Sequence, residues 1–426
     1  MTATEEERTS VSSGLFLRLT AMMLLEFVVF GSWFATFGLI LATHGLAGTI
    51  GHAYSLAAVA AIVSPMFLGS LGDRFVQSQK GLGAAHLAGG ATMLLLPAAV
   101  AHRGGGLTLT LIFVYMLFFQ PTLGLTNHIA FRHLGTHQRL FPYIRVFGTL
   151  GWFIAGQAVG WMGLSASPRL FFVTAGVSLA FGLYAFTLPR TQPPAKGVRF
   201  QIGDVVGAKA FTLFRHRNFA VLMVCALFTA VALGVYNTYA SPFLGALGVH
   251  DVASVLSLGQ ASEVAFIVTI PWVLRYIGIK WALFSGMVMW SVRLALFIVA
   301  AGTHDWVAIL AIALQGICND FFLVLAAMYI GTVAPVRLSA QAQGMLILIT
   351  SGIGQFIGAE LSGRLYDATV AKHPASDLGQ WTALWILPVV SGLVAAVIWA
   401  AFFRHGRSAE VVRYHDDASA ELVVGG

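Results

Sequence analysis

The chain has 426 residues, 58% of them hydrophobic and only 10% charged. A soluble domain covers its surface with roughly 25% charged residues, so this chain cannot cover a water-facing surface, although it can cover a lipid-facing one. The net charge of +7 invites a nucleic-acid partner, a reading that the placement of the charges excludes below.

A helix that crosses the hydrocarbon layer needs about 20 mostly apolar residues. Many such runs are present, long and continuous rather than alternating, which selects helices over barrel strands. No cleavable leader is expected, because Glu5, Glu6 and Glu7 stand where a positive region belongs and the first apolar run is too long. In chain order the expected spans are 16–41, 48–71, 83–101, 107–130, 143–164, 170–188, 218–244, 252–274, 281–301, 305–331, 339–365 and 381–403. The expected organisation is a cytoplasmic tail 1–15, a six-helix bundle 16–188, a linker 189–217, a second six-helix bundle 218–403 and a tail 404–426. The linker is polar and holds Pro189, Pro193 and Pro194.

The basic residues give the orientation. Of the 24 Lys and Arg, Arg103, Arg169, Arg364 and Lys372 fall on one side, and Arg145 and Arg293 fall in or at the mouth of helices. The remaining eighteen lie on the side of the termini and the linker. The basic balance is thus topological and implies no nucleic acid. Both termini are expected in the cytoplasm and the chain in a bacterial inner membrane.

Six helices, a linker and six helices suggest two related bundles of the major facilitator type. After span 2 comes Gly69-Ser70-Leu71-Gly72-Asp73-Arg74, with Lys80 beyond; after span 8 comes a weak echo, Arg275 to Lys280. The first resembles the superfamily's G-x-L-x-D-R loop. Gly69 permits a tight approach, and Asp73 and Arg74 can pair at a helix end and lock a gate.

Polar residues deep in apolar spans are costly unless they face a cavity or a partner. Glu26 in span 1 is read as cavity-lining or proton-relaying, with structural hydrogen bonding as the alternative. Arg145 and Thr149 in span 5 share a helix face; Arg145 is a cytoplasmic anchor, or else a binding donor or a partner for an acidic residue across the cavity. In span 7, Asn237 and Ser241 share a face ahead of Pro242, which is expected to loosen the helix. Asn237 is read as a ligand contact or a helix-packing residue.

Span 8 carries Gln260 and Glu263, three apart and on one face, and an amide beside a carboxylate can bind hydroxyls or base edges. A carboxyl group in a low-dielectric cavity suits proton exchange near neutrality. Span 10 puts Gln315 and Asn319 on one face, with Asp320 as the acid of its middle. Arg293 in span 9 is a candidate counter-charge for Asp320 or Glu263. Glu360 is read as a local pair with Arg364, and His86 and His128 as buried, satisfied histidines. Cys225 and Cys318 read as small buried hydrophobes, with no metal or disulfide spacing. No H-E-x-x-H, Walker loop or G-x-S-x-G occurs, so an enzyme or an ATP-driven pump lacks its site.

Several motifs recur in order: Gly31-Ser32-Trp33, Pro121-Thr122-Leu123-Gly124-Leu125-Thr126-Asn127, Ile144-Arg145 with Gly148-Thr149, Gln260-Ala261-Ser262-Glu263 running to Thr269-Ile270-Pro271, Asp320-Phe321-Phe322, and Ser339 to Met345. On these the chain resembles the bacterial nucleoside:proton symporters of the major facilitator superfamily over nearly its whole length. The resemblance implies proton-driven nucleoside uptake at a site between the bundles. It maps binding onto Arg145, Thr149, Asn237, Gln260, Glu263 and Asp320. Gln315 and Asn319 join that set from the helix reading, and Trp33, Phe37, Phe321 and Phe322 are candidates to stack on a base.

Three positions depart from the family's pattern. Gly234, Glu26, and the pair Gln315 and Asn319 stand where the family can carry a glutamine, a glutamine and an aromatic pattern. The expected proton carrier is Asp320 or Glu263, with Glu26 as a third candidate. No cofactor is expected beyond the proton gradient; the expected partners are nucleosides, protons and lipids, and the expected state is a monomer. The rival readings are a sugar, glycoside or drug carrier on the same fold, and a non-transporting membrane sensor.

Overall fold

The computed structural model describes residues 12–64, 76–193, 208–374 and 377–404. The gating positions Gly69, Asp73 and Arg74 lie outside them. Among the described residues, nine helices are long and apolar enough to cross a membrane, or ten if Val252–Ile267 and Ile270–Tyr276, bent by 54°, form one crossing. One of the nine, Gly105–Trp161, has 57 residues, more than twice the length a crossing needs. It turns back at Gly135–Leu140, where Gly135 takes a φ of +54° that only glycine adopts easily. Splitting it, and counting the apolar 16-residue helix Leu170–Ala185, gives twelve.

In chain order these are α1 (Ser13–Thr43), α2 (Ala47–Ser64), α3 (Ser78–Ala101), α4 (Gly105–Leu134), α5 (Phe141–Trp161) and α6 (Leu170–Ala185). The second set is α7 (Arg217–Ala246), α8 (Val252–Ile267 with Ile270–Tyr276), α9 (Gly278–Gly302), α10 (from Asp305 to Val333), α11 (from Val336 to Ala368) and α12 (Trp381–Phe402). The expected spans match these helices to within five residues wherever their ends are described.

Local sequence explains the ends and bends. The Ser12 hydroxyl accepts from the Leu15 N–H at 3.3 Å and caps α1. Pro142 and Pro271 open helical segments, where a missing N–H costs nothing. Pro242, expected to loosen α7, lies inside it without ending it. The helix runs through it to Ala246, and the proline ring packs against Gly38 of α1. Two π turns interrupt the second bundle, Asp320–Val324 in α10 and Leu348–Ile353 in α11. Such turns commonly mark functional sites.

The packing repeats itself across the two halves. Within the first, α1 packs on α5 and α3 on α6; within the second, α7 packs on α11 and α9 on α12. Between them, α5 meets α8 and α2 meets α11. Adding six to each helix number maps this pattern onto itself, the signature of two structural repeats around one axis. With no hydrophobic drive between helices in lipid, close approach relies on small residues. A Cβ on Gly51 would lie 2.8 Å from the Gly363 Cα, so α2 and α11 touch backbone to backbone.

The contacts between the bundles gather toward the end remote from the chain termini. There Leu39 N–H donates to Ser241 Oγ at 3.3 Å, His52 Nδ1 meets Glu360 Oε2 at 3.3 Å, and Ala253 N–H donates to Ser165 Oγ at 3.2 Å. Gln157 Nε2 reaches the Ser254 carbonyl at 3.1 Å and Ser257 Oγ at 2.8 Å.

Candidate functional site

A cavity of about 210 Å³ lies between the bundles, bordered by α1, α2, α4 and α5 on one side and α7, α8, α10 and α11 on the other. Its two walls differ in chemistry. The first bundle supplies aromatic rings: Phe30 stands 4.7 Å from both Phe34 and Trp152, and Tyr54 lies behind Phe34 at 5.2 Å. The second supplies amides: Asn237, Gln260, Gln315, Asn319 and Gln355, with Gln120 of α4 opposite. No Asp, Glu, Lys or Arg is among the described residues that border it.

Behind the amide wall lies a charge network. Glu263 of α8 accepts from Gln315 Nε2 at 2.9 Å and from Asn319 Nδ2. Gln315 Oε1 in turn accepts from the Tyr236 hydroxyl at 3.0 Å and from Arg293 Nη2 at 2.8 Å. Arg293 is fully buried; its Nε donates to the Ala311 carbonyl at 2.8 Å, and its plane lies 4.0 Å over the Tyr236 ring. Such a buried cation needs a nearby anion, and Glu263 answers it through one intervening amide. Arg293 therefore belongs to Glu263 and Gln315.

Asp320 opens the π turn of α10, is buried, and leaves Oδ2 without a partner. It lies within electrostatic reach of Glu263. A buried polar atom left unsatisfied calls for an explanation, and a carboxyl that gains and loses a proton supplies one. Asn319 Oδ1 beside it is likewise unpartnered.

The other residues singled out from sequence fall around this centre. Asn237 donates to Gln355 Oε1 at 3.0 Å on the cavity wall. Arg145 is half-buried, with its guanidinium 4.2 Å over the Phe27 ring and in electrostatic range of both Glu263 and Glu26. Thr149, one turn on, is half-buried.

Trp33 does not border the cavity. It is wholly buried, edge-on to Phe34, Phe37 and Tyr115. Phe321 and Phe322 are buried in the core of the second bundle. Glu26 is buried away from the cavity against His86. Glu360 lies 4.0 Å from Arg364 and also meets His52 across the bundle seam.

Sequence reasoning missed Phe30, Phe34, Trp152, Tyr236, Gln120 and Gln355. The two glutamines were findable, since each is an amide in mid-span, as Gln260 is. The aromatic wall was not, because this chain holds 32 Phe and 10 Trp and most of them pack.

Two six-helix repeats around a central polar cavity define a secondary active transporter of the major facilitator fold, not an enzyme. The sequence model of the Nucleoside H+ symporter family matches residues 13–408, and the chain belongs to that family. YegT of Escherichia coli K12, which bears the provisional name of a nucleoside transporter, is 32% identical over 96% of this chain and 98% of its own. The xanthosine permease of the same organism is 27% identical over 93% of this chain and 98% of its own. A crystal structure of a variant of the nucleoside transporter NupG superposes with a TM-score of 0.83 at 25% identity, over 92% of this chain and all of that one.

Proposed function

We infer that this protein imports nucleosides together with protons by alternating access, using the cavity between its bundles as the substrate site. The observation that carries the reading is the contrast between the two walls. A nucleoside is a flat apolar base joined to a hydroxylated ribose, and it is neutral. The ring wall of Phe30, Phe34 and Trp152 suits the base, and the amides of α7, α8, α10 and α11 suit the sugar and the base edges. A wall without ionised side chains suits a neutral solute over a phosphorylated one.

The acids stand one layer behind. Asp320 and Glu263 are the proposed proton carriers at this site. Protonation from outside makes the acid layer neutral and lets the loaded bundles rock; release on the inside restores the charge. Arg293 holds the layer's net charge low throughout. Arg145 and Thr149 of α5 are proposed to meet the nucleoside as it enters or leaves the cavity. The proton gradient is the energy source and no cofactor takes part.

The placement proposed is the bacterial inner membrane, as a monomer in lipid with both termini cytoplasmic, on the strength of the Lys and Arg bias. The seam that joins α2 to α11 and α5 to α8 is then periplasmic, and the arrangement described is closed to the outside. The cytoplasmic loop with Gly69, Asp73 and Arg74 is proposed as a gate on the opposite face.

Competition on labelled uridine uptake tests the substrate assignment. Unlabelled nucleosides should block uptake, while nucleotides and free sugars at the same concentration should not. Block by sugars or glycosides without block by nucleosides would turn the reading toward a sugar carrier.

A further inference from the structure

Glu26 and His86 lie apart from the cavity, and the transport scheme above does not use them. Their side chains are 0% and 1% exposed, where α1, α3, α4 and α6 meet. His86 Nε2 stands 3.1 Å from Glu26 Oε2. The Thr122 hydroxyl of α4 lies 2.6 Å from Glu26 Oε1 and also reaches the Phe119 carbonyl of its own helix. Beyond the ring, Nδ1 is 3.2 Å from Ser178 Oγ, and Ser178 donates to the His86 carbonyl at 2.9 Å.

Counting hydrogens gives this cluster two states. A hydroxyl has one hydrogen to donate, and that of Ser178 goes to a carbonyl, so Nδ1 carries a hydrogen and donates to Ser178. One proton lies between Nε2 and Oε2, whichever atom holds it. The Thr122 hydrogen has two acceptors. When it points to Glu26, Oε1 is bare. When it points to Phe119, Oε1 must carry a hydrogen to keep its contact with Thr122. The same heavy-atom arrangement therefore accepts one more proton, on Glu26 Oε1, by rotation of one hydroxyl and with each of these contacts kept. In the first state the pair is neutral overall, and in the second it carries one positive charge. Buried charge in a membrane demands pairing, but pairing alone does not demand a second state.

Other groups face the pair. Arg145 of α5 is in electrostatic range of Glu26 and of Glu263, and Tyr115 of α4 is in range of Glu26. The Phe181 and Phe119 rings enclose the imidazole at 4.4 Å and 6.1 Å. Glu26 is one helical turn before Phe30, which borders the cavity.

We propose that the Glu26–His86 pair is a second proton-holding site, set in the first bundle and carrying a proton inward alongside the Glu263 and Asp320 layer. Glu26 is the group that binds the proton; His86 and Thr122 are positioning residues. Glu26 takes its proton while the bundles are open to the outside. It gives that proton up while they are open to the inside, so the pair moves a proton in the same direction as Glu263 and Asp320. The proposal rests on the proton-coupled reading above.

The test compares Glu26→Gln, His86→Gln and Thr122→Val with wild type in proteoliposomes, in two assays. One is uridine accumulation driven by a proton gradient, read across pH. The other is uridine exchange without a gradient, which needs no net proton movement. For Glu26→Gln the expectation is exchange within about threefold of wild type and accumulation at least tenfold lower, with a flattened pH profile. His86→Gln and Thr122→Val should displace the pH profile while sparing exchange. Accumulation and pH profiles equal to wild type in all three would overturn the proposal, as would an equal loss of both assays in variants with wild-type melting temperatures.

Should Glu26→Gln or His86→Gln fail to fold, infrared difference spectra of wild type and Thr122→Val between acid and neutral pH decide. A carboxylic-acid band that appears in acid and moves in Thr122→Val supports the site; no band sensitive to Thr122 overturns it. Wild type that exchanges uridine but never accumulates it sinks the proton-coupled reading, and this proposal with it. Accumulation by wild type that the variants match sinks this proposal alone.

Discussion

Gln315 donates its amide nitrogen to Glu263 at 2.9 Å, and its orientation is imposed from behind. Its oxygen is taken by Arg293 at 2.8 Å and by the Tyr236 hydroxyl at 3.0 Å; the guanidinium can only donate, so an amide N–H in that position would have no partner there. The buried cation and the acid therefore communicate through one amide that cannot flip. Gln315→Ala removes the link and a hydrogen bond to a charged group, worth roughly 1.5–3 kcal/mol. The KM for nucleoside should rise about tenfold or more in substrate-dependent uptake. A KM within twofold of wild type would count against the acid layer as part of the site.

Asp320 should matter for coupling more than for binding. Its Oδ2 has no partner, so Asp320→Asn forfeits no visible hydrogen bond from that atom. The variant should bind nucleoside with a Kd close to wild type in calorimetry, yet accumulate it poorly under a proton gradient. Loss of binding with coupling intact would reverse the roles given to Asp320 and the amides.

Trp152 and Phe30 form the apolar wall, with ring centroids 4.7 Å apart. Aromatic contacts of this kind contribute about 0.5–1.5 kcal/mol beyond the area they bury. Trp152→Ala should raise the KM for nucleosides by up to about tenfold, and Trp152→Phe by less. Equal effects of the two substitutions would show that ring area is not what the substrate uses.

The outer seam depends on glycine. A Cβ on Gly51 would meet the Gly363 Cα at 2.8 Å and the Ala359 carbonyl at 3.0 Å, contacts that backbone atoms cannot yield cheaply. Gly51→Val should hold α2 and α11 apart, lower the maximal uptake rate and expose a cysteine placed in the cavity to impermeant reagents from outside. By contrast, His52 and Glu360 form a seam pair whose histidine is 58% exposed, and exposed pairs contribute little. Glu360→Gln should leave uptake within about threefold of wild type, and a greater loss would give that pair a role in closing.

The fold was legible because lipid leaves so few choices. Apolar length located the twelve helices, and the Arg and Lys bias suggested which ends share a side. The amide and acid positions of α8 and α10 were legible for a related reason: Gln260, Glu263, Gln315, Asn319 and Asp320 are too polar to sit in mid-span without a function or a partner. What resisted was everything that depends on which helix faces which. Glu26 and His86 are 60 residues apart and were read separately, the one as a relay candidate and the other as a satisfied histidine, yet they face each other across α1 and α3. Trp33 and Trp152 look alike in sequence, and only the rotation of α1 against α5 buries the first and brings the second to the cavity. The π turns of α10 and α11 have no sequence mark of the kind proline gives.

The central claim is that nucleoside movement is tied to protons. It is tested most directly by uridine and adenosine uptake into proteoliposomes with and without an inward proton gradient. Accumulation above the outside concentration only when the gradient is present, abolished by a protonophore, is the predicted result. Uptake that merely equilibrates, at the same rate with or without the gradient, would contradict it.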